Sequence, residues 1–492
     1  WYFPGDEWTY IPSLSGINLV AEKIVSPSFH LRNFFGTGGI VPQKAIDPNL
    51  SLQQDWDIWK RRNRMGGEVT LAGHYGETFN LAHRAQLEQH PEYMALVKGK
   101  RGPWSAGVKW CISNKDLRAL FIKDRVDFLK KALTAQQFPN KKITIPVDPA
   151  DGYGDCECDE CKKLGSNSDR VFLLANEVAK AVAKISPLAY PNLLAYNTHA
   201  APPPFQLEPN LIVQIIPYAF QNVGTPQQMI ALWQKKGNSL YMYDYYGLPD
   251  WHFDTPLSGG WSPDGLMEKL MTWEKIKIQG FMLESSFSMG SAGMGLYLMS
   301  RLGWDIKEEA SAIRDNFYRT MFGEAAPEIK KYYEKLNGDF SGAADLPYLI
   351  AALDKAAGAT KNEQVQTRIE KLQAYVHYLV LYYQWQSAPA DKKTAGWENL
   401  MEYVWKIYPL RDVHSTRIAE LMNARAASNT ALVKAWNVYA PGENIKVTKF
   451  ITGKELSELI KKDKENYPLL PGFNYTKSPS ALSYVIKPAA AP

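Results

Sequence analysis

The sequence predicts an α/β fold, a (β/α)8 TIM-type barrel followed by an α-helical domain. Eight short runs rich in β-branched and aromatic residues follow one another, and most are separated by stretches of helical period. Beyond residue 305 these runs give way to long amphipathic patterns. Acids, histidines and aromatic residues follow directly after several of the runs, which is where such a barrel builds its active site.

The eight predicted strands are residues 29–35, 68–74, 109–113, 143–147, 192–197, 211–216, 239–244 and 280–284. Apolar residues at helical spacing predict crossover helices at 116–133, 168–185, 226–236, 264–277 and 293–302. Asn114 or Asp116 is the expected N-cap of the first of these helices, and Ser168 that of the second. The connection after residue 197 is rich in proline, so a full helix is not expected there.

The same patterns divide the chain into four parts. Prolines break residues 1–27 into an irregular leading segment, and residues 28–305 form the predicted catalytic barrel. Residues 306–440 carry helical patterns at 306–337, 363–385, 398–407 and 412–438. Residues 441–492 mix short β-like pieces with prolines, which indicates a small terminal module or a truncated tail. The chain begins at Trp1, which is expected of a processed product or a fragment.

Charge and hydropathy narrow the class of partner. The net charge is +5, from 56 basic and 51 acidic residues, and no dense basic stripe is present, so a nucleic-acid partner is not expected. No run approaches the roughly 20 apolar residues that a membrane-spanning helix needs. The chain holds 15 Trp and 27 Tyr, and such rings stack well on sugar faces. A glycan or glycoprotein is therefore the expected partner.

Four cysteines stand at Cys111, Cys156, Cys158 and Cys161. Cys111 lies in the third predicted strand and the other three follow the fourth, so the fold can bring all four to one corner of the rim. Their spacing suits a tetrahedral structural zinc, and their even number suits disulfides. We interpret the cluster as a staple between loops, and no catalytic cofactor is expected.

Carboxylates at the ends of opposed and neighbouring strands favour glycoside hydrolysis. Glu284 ends the eighth strand, Asp244 ends the seventh, and Asp148 and Asp151 follow the fourth. Glycosidases need one carboxyl that protonates the leaving oxygen and a second group that acts as nucleophile or base. Where the sugar carries a 2-acetamido group, that amide can be the nucleophile and the second acid orients it. We predict Glu284 and Asp151 as this pair, although Asp148 and Asp151 also stand where a turn would use them.

Other residues after the strand ends are expected to bind the sugar. They include histidines, an amide, an arginine and aromatic rings, namely Arg32, His74, Asp148, Tyr153, Asn197, His199, Tyr218, Tyr243, Asp244, Tyr245, Trp251 and Trp261. The chain lacks the HExxH, GxSxG and P-loop motifs, and no GxGxxG follows a strand. Their absence argues against catalytic zinc, acyl transfer and nucleotide chemistry.

Several motifs resemble a known bacterial family. The segment 147–161, with its Asp-Gly-Tyr-Gly-Asp-Cys-Glu-Cys core, is similar to the family filed as domain of unknown function 4838, and so are 168–172, 194–199 and 243–247. The likeness covers about residues 28–320. Members are common in Bacteroidetes, and part of the family is classed as glycoside hydrolase family 163. The resemblance implies a barrel with a trailing helical region, β-N-acetylglucosaminidase activity on complex N-glycans, and a secreted, periplasmic or cell-surface location. It also implies Asp151 and Glu284 as the acids.

The sequence therefore predicts a retaining glycosidase of β-linked N-acetylglucosamine-containing glycans. Two alternatives stay open. One is a non-catalytic glycan-binding or surface-assembly protein on a barrel scaffold. The other is a hydrolase of uronic-acid glycans, for which Arg32 and Arg301 are the available cations.

Overall fold

The computed structural model describes residues 25–36, 52–71, 73–135, 140–152, 154–286, 288–415, 417–418, 421 and 450–469. Within this part of the chain, the central feature is a curled sheet of seven strands. The strands are β1 Leu31–Gly36, β2 Gly66–Gly67, β5 Ile143–Pro146, β6 Ala189–Ala195, β7 Ile212–Ile215, β8 Ser239–Tyr246 and β9 Gly280–Ser285, while β3 Leu96–Val97 and β4 Lys100–Arg101 form a separate hairpin. The order in the sheet is β2-β1-β9-β8-β7-β6-β5, and all neighbours pair in parallel except β1 and β2.

The sheet is a half-barrel, so the closed eight-stranded barrel is not confirmed. Six of the eight predicted strands form in the described residues, and the hydrogen-bonded ladder ends at β2 and β5. The predicted strand 68–74 instead crosses between these two edges. The Thr144 hydroxyl donates to the carbonyl of Thr70, and Val69 and Leu71 pack against Leu31 from β1. The segment thus occupies the position of a strand without joining the ladder.

The predicted strand 109–113 is also absent. It pairs with the chain before β3 through one isolated bridge between Met94 and Trp110. The N–H of Cys111 donates to the carbonyl of Tyr93, and the N–H of Ala95 donates to that of Lys109. This segment belongs to the cysteine-bearing corner of the molecule and not to the main sheet.

The two faces of the sheet have different neighbours. Leu31, Ile212 and Tyr241 pack together on one face, which we call the inner face. On the outer face Phe281 packs against Phe34 and against Trp273 in the helix layer. Because side chains alternate along a strand, Tyr243 and Tyr245 share the inner face with Tyr241.

Helices cover the outer face and form the C-terminal region. Their bounds are α1 Leu52–Arg62, α2 Tyr75–Ala82, α3 Arg84–Gln89, α4 Lys115–Ala135, α5 Asp159–Lys163, α6 Asn167–Ala183, α7 Pro226–Gln234, α8 Pro249–His252, α9 Pro263–Lys275, α10 Gly293–Trp304, α11 Ala310–Phe322, α12 Ala326–Glu334, α13 Leu346–Gly358, α14 Glu363–Ser387, α15 Lys393–Lys406 and α16 Gly453–Asn466.

All five predicted crossover helices form. Asn114 caps α4, since its side-chain oxygen accepts from the N–H groups of Asp116 and Leu117 at 3.0 Å. The expected cap of α6 was wrong by two residues. Ser166 caps that helix in a capping box with Asp169, and Ser168 is buried in its first turn.

The C-terminal region is helical in the described residues. The pattern at 306–337 divides into α11 and α12 at Gly323, whose φ of +49° lies in the left-handed region that favours glycine. The described part of the terminal stretch forms α16, where β-like pieces were expected. That helix packs on α14 through a hydrogen bond between His377 Nδ1 and Asp463 Oδ2 at 2.6 Å. The boundary between residues 305 and 306 stays a prediction.

The helical region is joined to the loops that follow β8 and β9 through Asp254, which is fully buried. The Asp254 carboxylate accepts from the Ser288 hydroxyl at 2.7 Å and from the His414 N–H at 2.6 Å. Its carbonyl accepts from the Tyr375 hydroxyl at 2.7 Å. We call this group the Asp254 junction. Among the helices described, none is both long enough and apolar enough to cross a bilayer.

Candidate active site

Glu284 stands at the carboxyl end of β9 on the inner face. The ladder places it between Phe35 of β1 and Tyr245 of β8. The Tyr243 hydroxyl donates to Glu284 Oε2 at 2.8 Å. Desolvation and the neighbouring Glu284 raise the pKa of Tyr243, so this phenol stays a hydrogen-bond donor at all physiological pH values. A carboxyl group is thus held in a fixed orientation on the inner face, as an acid–base catalyst must be.

A set of aromatic rings, which we call the aromatic wall, extends from this pair to the surface. Its members are Tyr218, Tyr243, Tyr245, Trp251 and Trp261. Ring centroids lie 5.6 Å apart between Tyr243 and Tyr245, 5.0 Å between Tyr245 and Trp251, and 5.7 Å between Trp251 and Trp261. Trp251 is 41% exposed and Tyr218 is 44% exposed. The structure therefore brings five predicted sugar-binding residues together, on a surface that suits the apolar face of a sugar.

The two acids after β5 lie in different environments. Asp148 is 1% exposed, and its Oδ1 accepts from the Leu194 N–H at 2.6 Å. It has no surface to offer a sugar, so the expectation that it binds one does not agree with the structure. Asp151 is exposed three residues later, and its Oδ1 accepts from the Gly152 N–H at 2.7 Å. Asp151 therefore closes a local turn at the rim while its carboxylate stays accessible.

Asn197 supports the loop that carries Asp151, and the two predicted histidines make other contacts. The Asn197 side chain donates to the carbonyl of Gly152 at 3.2 Å. His74 meets the ring of Tyr196 edge to face, with centroids 5.8 Å apart. His199 is buried, and desolvation, with smaller effects of Lys109 and His74, lowers its pKa to about 3. The His199 imidazole is therefore neutral at physiological pH, which suits a supporting role better than contact with a charged substrate.

Two predicted residues lie on the outer face of the sheet, opposite to Glu284. Asp244 lies on the outer face, where its Oδ2 pairs with Lys269 Nζ of α9 at 2.9 Å. Arg32 lies at the amino end of β1, where its Nη2 donates to the carbonyl of Arg64 at 2.7 Å and its guanidinium stacks over Trp304. The structure thus brings neither together with Glu284. Tyr153 lies outside the described residues.

Phe35 and Tyr196 adjoin the candidate site and were not predicted. Phe35 meets the ring of Tyr243 at 5.8 Å, and Tyr196 raises the pKa values of both Tyr243 and Tyr245 through its proximity. Both stand near the carboxyl ends of predicted strands. Tyr190 of β6 packs against the cluster on the inner face. Because side chains alternate along a strand, counting from Tyr190 would have placed Tyr196 on the same face.

The buried Asp148 should make stability fall as pH rises. Burial raises the pKa of Asp148 to about 8, against about 3.9 for an unfolded chain. Between these values the folded protein keeps a proton that the unfolded chain has lost, so the free energy of unfolding decreases with pH across this window and levels off above it. Asp148→Asn removes this proton. In urea titrations from about pH 4.5 to about pH 8.5, the wild type should lose stability relative to the variant. A difference that stays constant with pH would contradict this assignment.

Comparison with known proteins gives a family and no activity. A family model described as "Domain of unknown function (DUF4838)" matches residues 3–334. No curated protein matches the chain. A solved structure titled "Structure of CpGH84B" is 10% identical and covers 89% of this chain and 77% of that chain, with a TM-score of 0.37. A likeness this loose carries no argument about function. The family match extends over more than half of the sequence, and the chain therefore belongs to the DUF4838 family.

Proposed function

We propose that this protein is a retaining glycoside hydrolase of β-linked N-acetylglucosamine-containing glycans, of the complex N-glycan type and of glycoside hydrolase family 163. The observation that supports the proposal best is the Glu284–Tyr243 pair, which lies on the inner face at the inner end of the aromatic wall. A carboxyl group beside a surface that suits a sugar supplies one of the two groups that glycosidic cleavage needs, and the second is Asp151 or the substrate's own amide.

In this proposal Glu284 is the acid that protonates the leaving oxygen. The 2-acetamido group of the substrate then attacks the anomeric carbon as the glycosidic bond breaks, and Asp151 orients that amide. Glu284, now a carboxylate, takes a proton from the water that opens the cyclic intermediate. Two inversions at the anomeric carbon give net retention. Tyr243 acts as a positioning residue, because its hydroxyl holds one oxygen of Glu284.

The direct test is incubation of the protein with a complex N-glycoprotein, followed by mass spectrometry of the released glycans. We expect the enzyme to release a glycan that has N-acetylglucosamine at its reducing end, and the remaining glycoprotein should be lighter by the mass of that glycan. Early products analysed by NMR should carry the β-anomer. An unchanged glycan profile with protein shown to be folded by its cooperative unfolding, across bi- and multi-antennary substrates, would contradict the proposal.

Trp251→Ala should weaken substrate binding more than it slows chemistry. Its ring is an exposed member of the aromatic wall and packs on Tyr245, the cross-strand neighbour of Glu284. We expect KM to rise about tenfold, which corresponds to about 1.4 kcal/mol, with kcat changed less than about twofold. Phe128→Ala is the matched control, because Phe128 is a similarly exposed ring on α4. A fall in kcat with an unchanged KM would place Trp251 outside the binding surface.

A non-catalytic glycan-binding protein is the second candidate. It is favoured by Asp151, whose carboxylate already accepts from Gly152, and by the burial of Asp148. Binding on a glycan array without any released product would support it. The uronic-acid alternative has no such support, since Arg32 lies at the amino end of the sheet and Arg301 pairs with Glu308. We also propose a secreted, periplasmic or cell-surface location, where N-glycoproteins are accessible.

A further inference from the structure

The four cysteines converge on one point beside the loop that follows β5. Their Sγ atoms all lie within 4.8 Å of one another, and none forms a disulfide. Cys111 comes from the segment that pairs with residues 93–95, whereas Cys156, Cys158 and Cys161 come from the loop and the start of α5. Two parts of the chain that are separate in sequence thus meet at these thiols.

Two of the sulfur separations match those around a tetrahedral metal, and all six lie within 4.8 Å. The distance from Cys111 Sγ is 3.7 Å to Cys158 Sγ and 3.8 Å to Cys161 Sγ. Four sulfurs at about 2.3 Å from a zinc ion lie about 3.8 Å apart. A disulfide needs about 2.05 Å. The arrangement is too open for bonded pairs and has the size of a four-thiolate cage.

Donors surround the sulfurs as they do around thiolates. The backbone N–H of Leu96 donates to the Cys156 sulfur at 3.3 Å. The N–H of Ser113 donates to the Cys161 sulfur at 3.3 Å, and the N–H of Cys161 donates to the Cys158 sulfur at 3.4 Å. The Arg101 guanidinium, at the end of the hairpin, lies near the thiols of Cys111 and Cys158 and donates to the carbonyl of Met94. Four thiolates around a divalent ion carry a net charge of −2, which such donors stabilise.

The local backbone is also that of a metal-binding knuckle. Cys158 is the N-cap of α5, and its sulfur accepts from the N–H of Cys161 one turn later. Cys156 and Cys161 are buried among Ala95, Leu96 and Val97. Three of the four thiols are therefore shielded from water, which is expected of a closed structural site and not of a reactive one.

From these contacts we infer that Cys111, Cys156, Cys158 and Cys161 bind one structural zinc ion as four thiolates. All four positions of the tetrahedron are filled by protein, so the ion offers no place for substrate. Its effect is to fasten the hairpin β3–β4 and residues 109–113 to the loop that begins at Asp148 and carries Asp151. The buried ion pair between Lys109 and Asp155 joins the same two segments at 3.2 Å.

Metal content tests the inference directly. Protein produced with zinc in the medium and purified under reducing conditions should contain about one zinc per chain by plasma mass spectrometry. A mercurial reagent should release that zinc as it consumes four thiols. Cobalt substitution should give the intense visible bands of a tetrahedral cobalt thiolate. Removal of the metal should lower the Tm by about 5–10 °C.

A pair of variants separates metal binding from a mere folding defect. Cys161→Ser should lose the zinc, whereas Ser113→Ala should keep it, although the Ser113 hydroxyl contacts the sulfurs of Cys111 and Cys161 at 3.3 Å. If Cys161→Ser does not fold, the measurement of zinc release from the wild-type protein still tests the inference. Metal-free protein with four free thiols, two disulfides mapped by peptide mass spectrometry, or iron in place of zinc would each overturn the inference. None of these outcomes bears on the proposed hydrolase, because zinc is measured without substrate.

Discussion

Glu284→Gln should lower the rate of hydrolysis of a β-N-acetylglucosaminide by about 10²–10⁴-fold, with little change in KM or Tm. The amide keeps the shape of the side chain and can still accept from the Tyr243 hydroxyl, but it cannot deliver a proton to the leaving oxygen. The measurement is kcat on a chromogenic N-acetylglucosaminide and on an N-glycoprotein. Glu308→Gln is the matched control, since Glu308 pairs with Arg301 away from the inner face and its loss should leave the rate unchanged.

The role of the acetamido group can be measured separately. Substrates whose acetamide carries more fluorine have a less nucleophilic carbonyl oxygen, so the wild-type rate should fall along such a series. Asp151→Asn should lower the rate by a similar 10²–10⁴-fold if Asp151 orients the amide. Full activity of both Glu284→Gln and Asp151→Asn would show that neither acid takes part, and the hydrolase proposal would then fail.

Asp254→Ala should destabilise the protein by about 2–5 kcal/mol. The substitution leaves the His414 N–H and the hydroxyls of Ser286 and Ser288 buried without their acceptor, and each such group costs about 1–3 kcal/mol. Urea unfolding monitored by tryptophan fluorescence measures the change. Asp264→Ala is the control, because the Asp264 side chain is more than half exposed in its pair with Arg314 and its loss should cost less than about 1 kcal/mol.

The pH dependence of stability, compared between the wild type and Asp254→Asn, gives a second measurement. Burial raises the pKa of Asp254 to about 6, so its carboxyl binds a proton more readily in the folded protein than in the unfolded chain. The wild type should therefore lose stability as pH rises from about 4 to about 6, relative to Asp254→Asn. A destabilisation of Asp254→Ala no larger than that of Asp264→Ala would show that the Asp254 junction does not hold the two regions together.

The positions of the strands could be predicted from the sequence, whereas the closure of the sheet could not. The runs that became β5 to β9 are mostly apolar and aromatic, which is the pattern of a strand buried on both faces, whereas the run that became β1 also carries Arg32 and Asn33. The run at 68–74 contains Gly73, where a Cβ would meet the Leu194 side chain at 2.7 Å, so that this segment passes close over β6. The run at 109–113 pairs with residues 93–95 instead, and its Cys111 lies beside Cys158 and Cys161. Neither reason is visible in local β propensity.

Residue types at strand ends were predicted, but the face of each side chain was not. In the β8 sequence, Tyr241-Met-Tyr-Asp-Tyr-Tyr246, both alternating sets are largely apolar, so the sequence does not say which set faces inward. The face is decided by tertiary packing, since Tyr241 packs with Leu31 on the inner face. Tyr243 then lies beside Glu284 on that face, and Asp244 lies beside Lys269 on the other. The same limit applies to Asp148, whose burial depends on contact with Leu194 from the next strand.

The Asp254 junction has a consequence for how this family can be cut and recombined. The family match ends at residue 334, yet the loop bearing Trp251 is anchored by Tyr375, His414 and Arg417, the last through an ion pair with Asp250. A protein trimmed to the matched segment would retain Glu284 and Tyr243 but lose the residues that anchor the outer part of the aromatic wall. In this chain the matched segment is thus smaller than the packed unit, and exchanges with relatives should transfer both parts together.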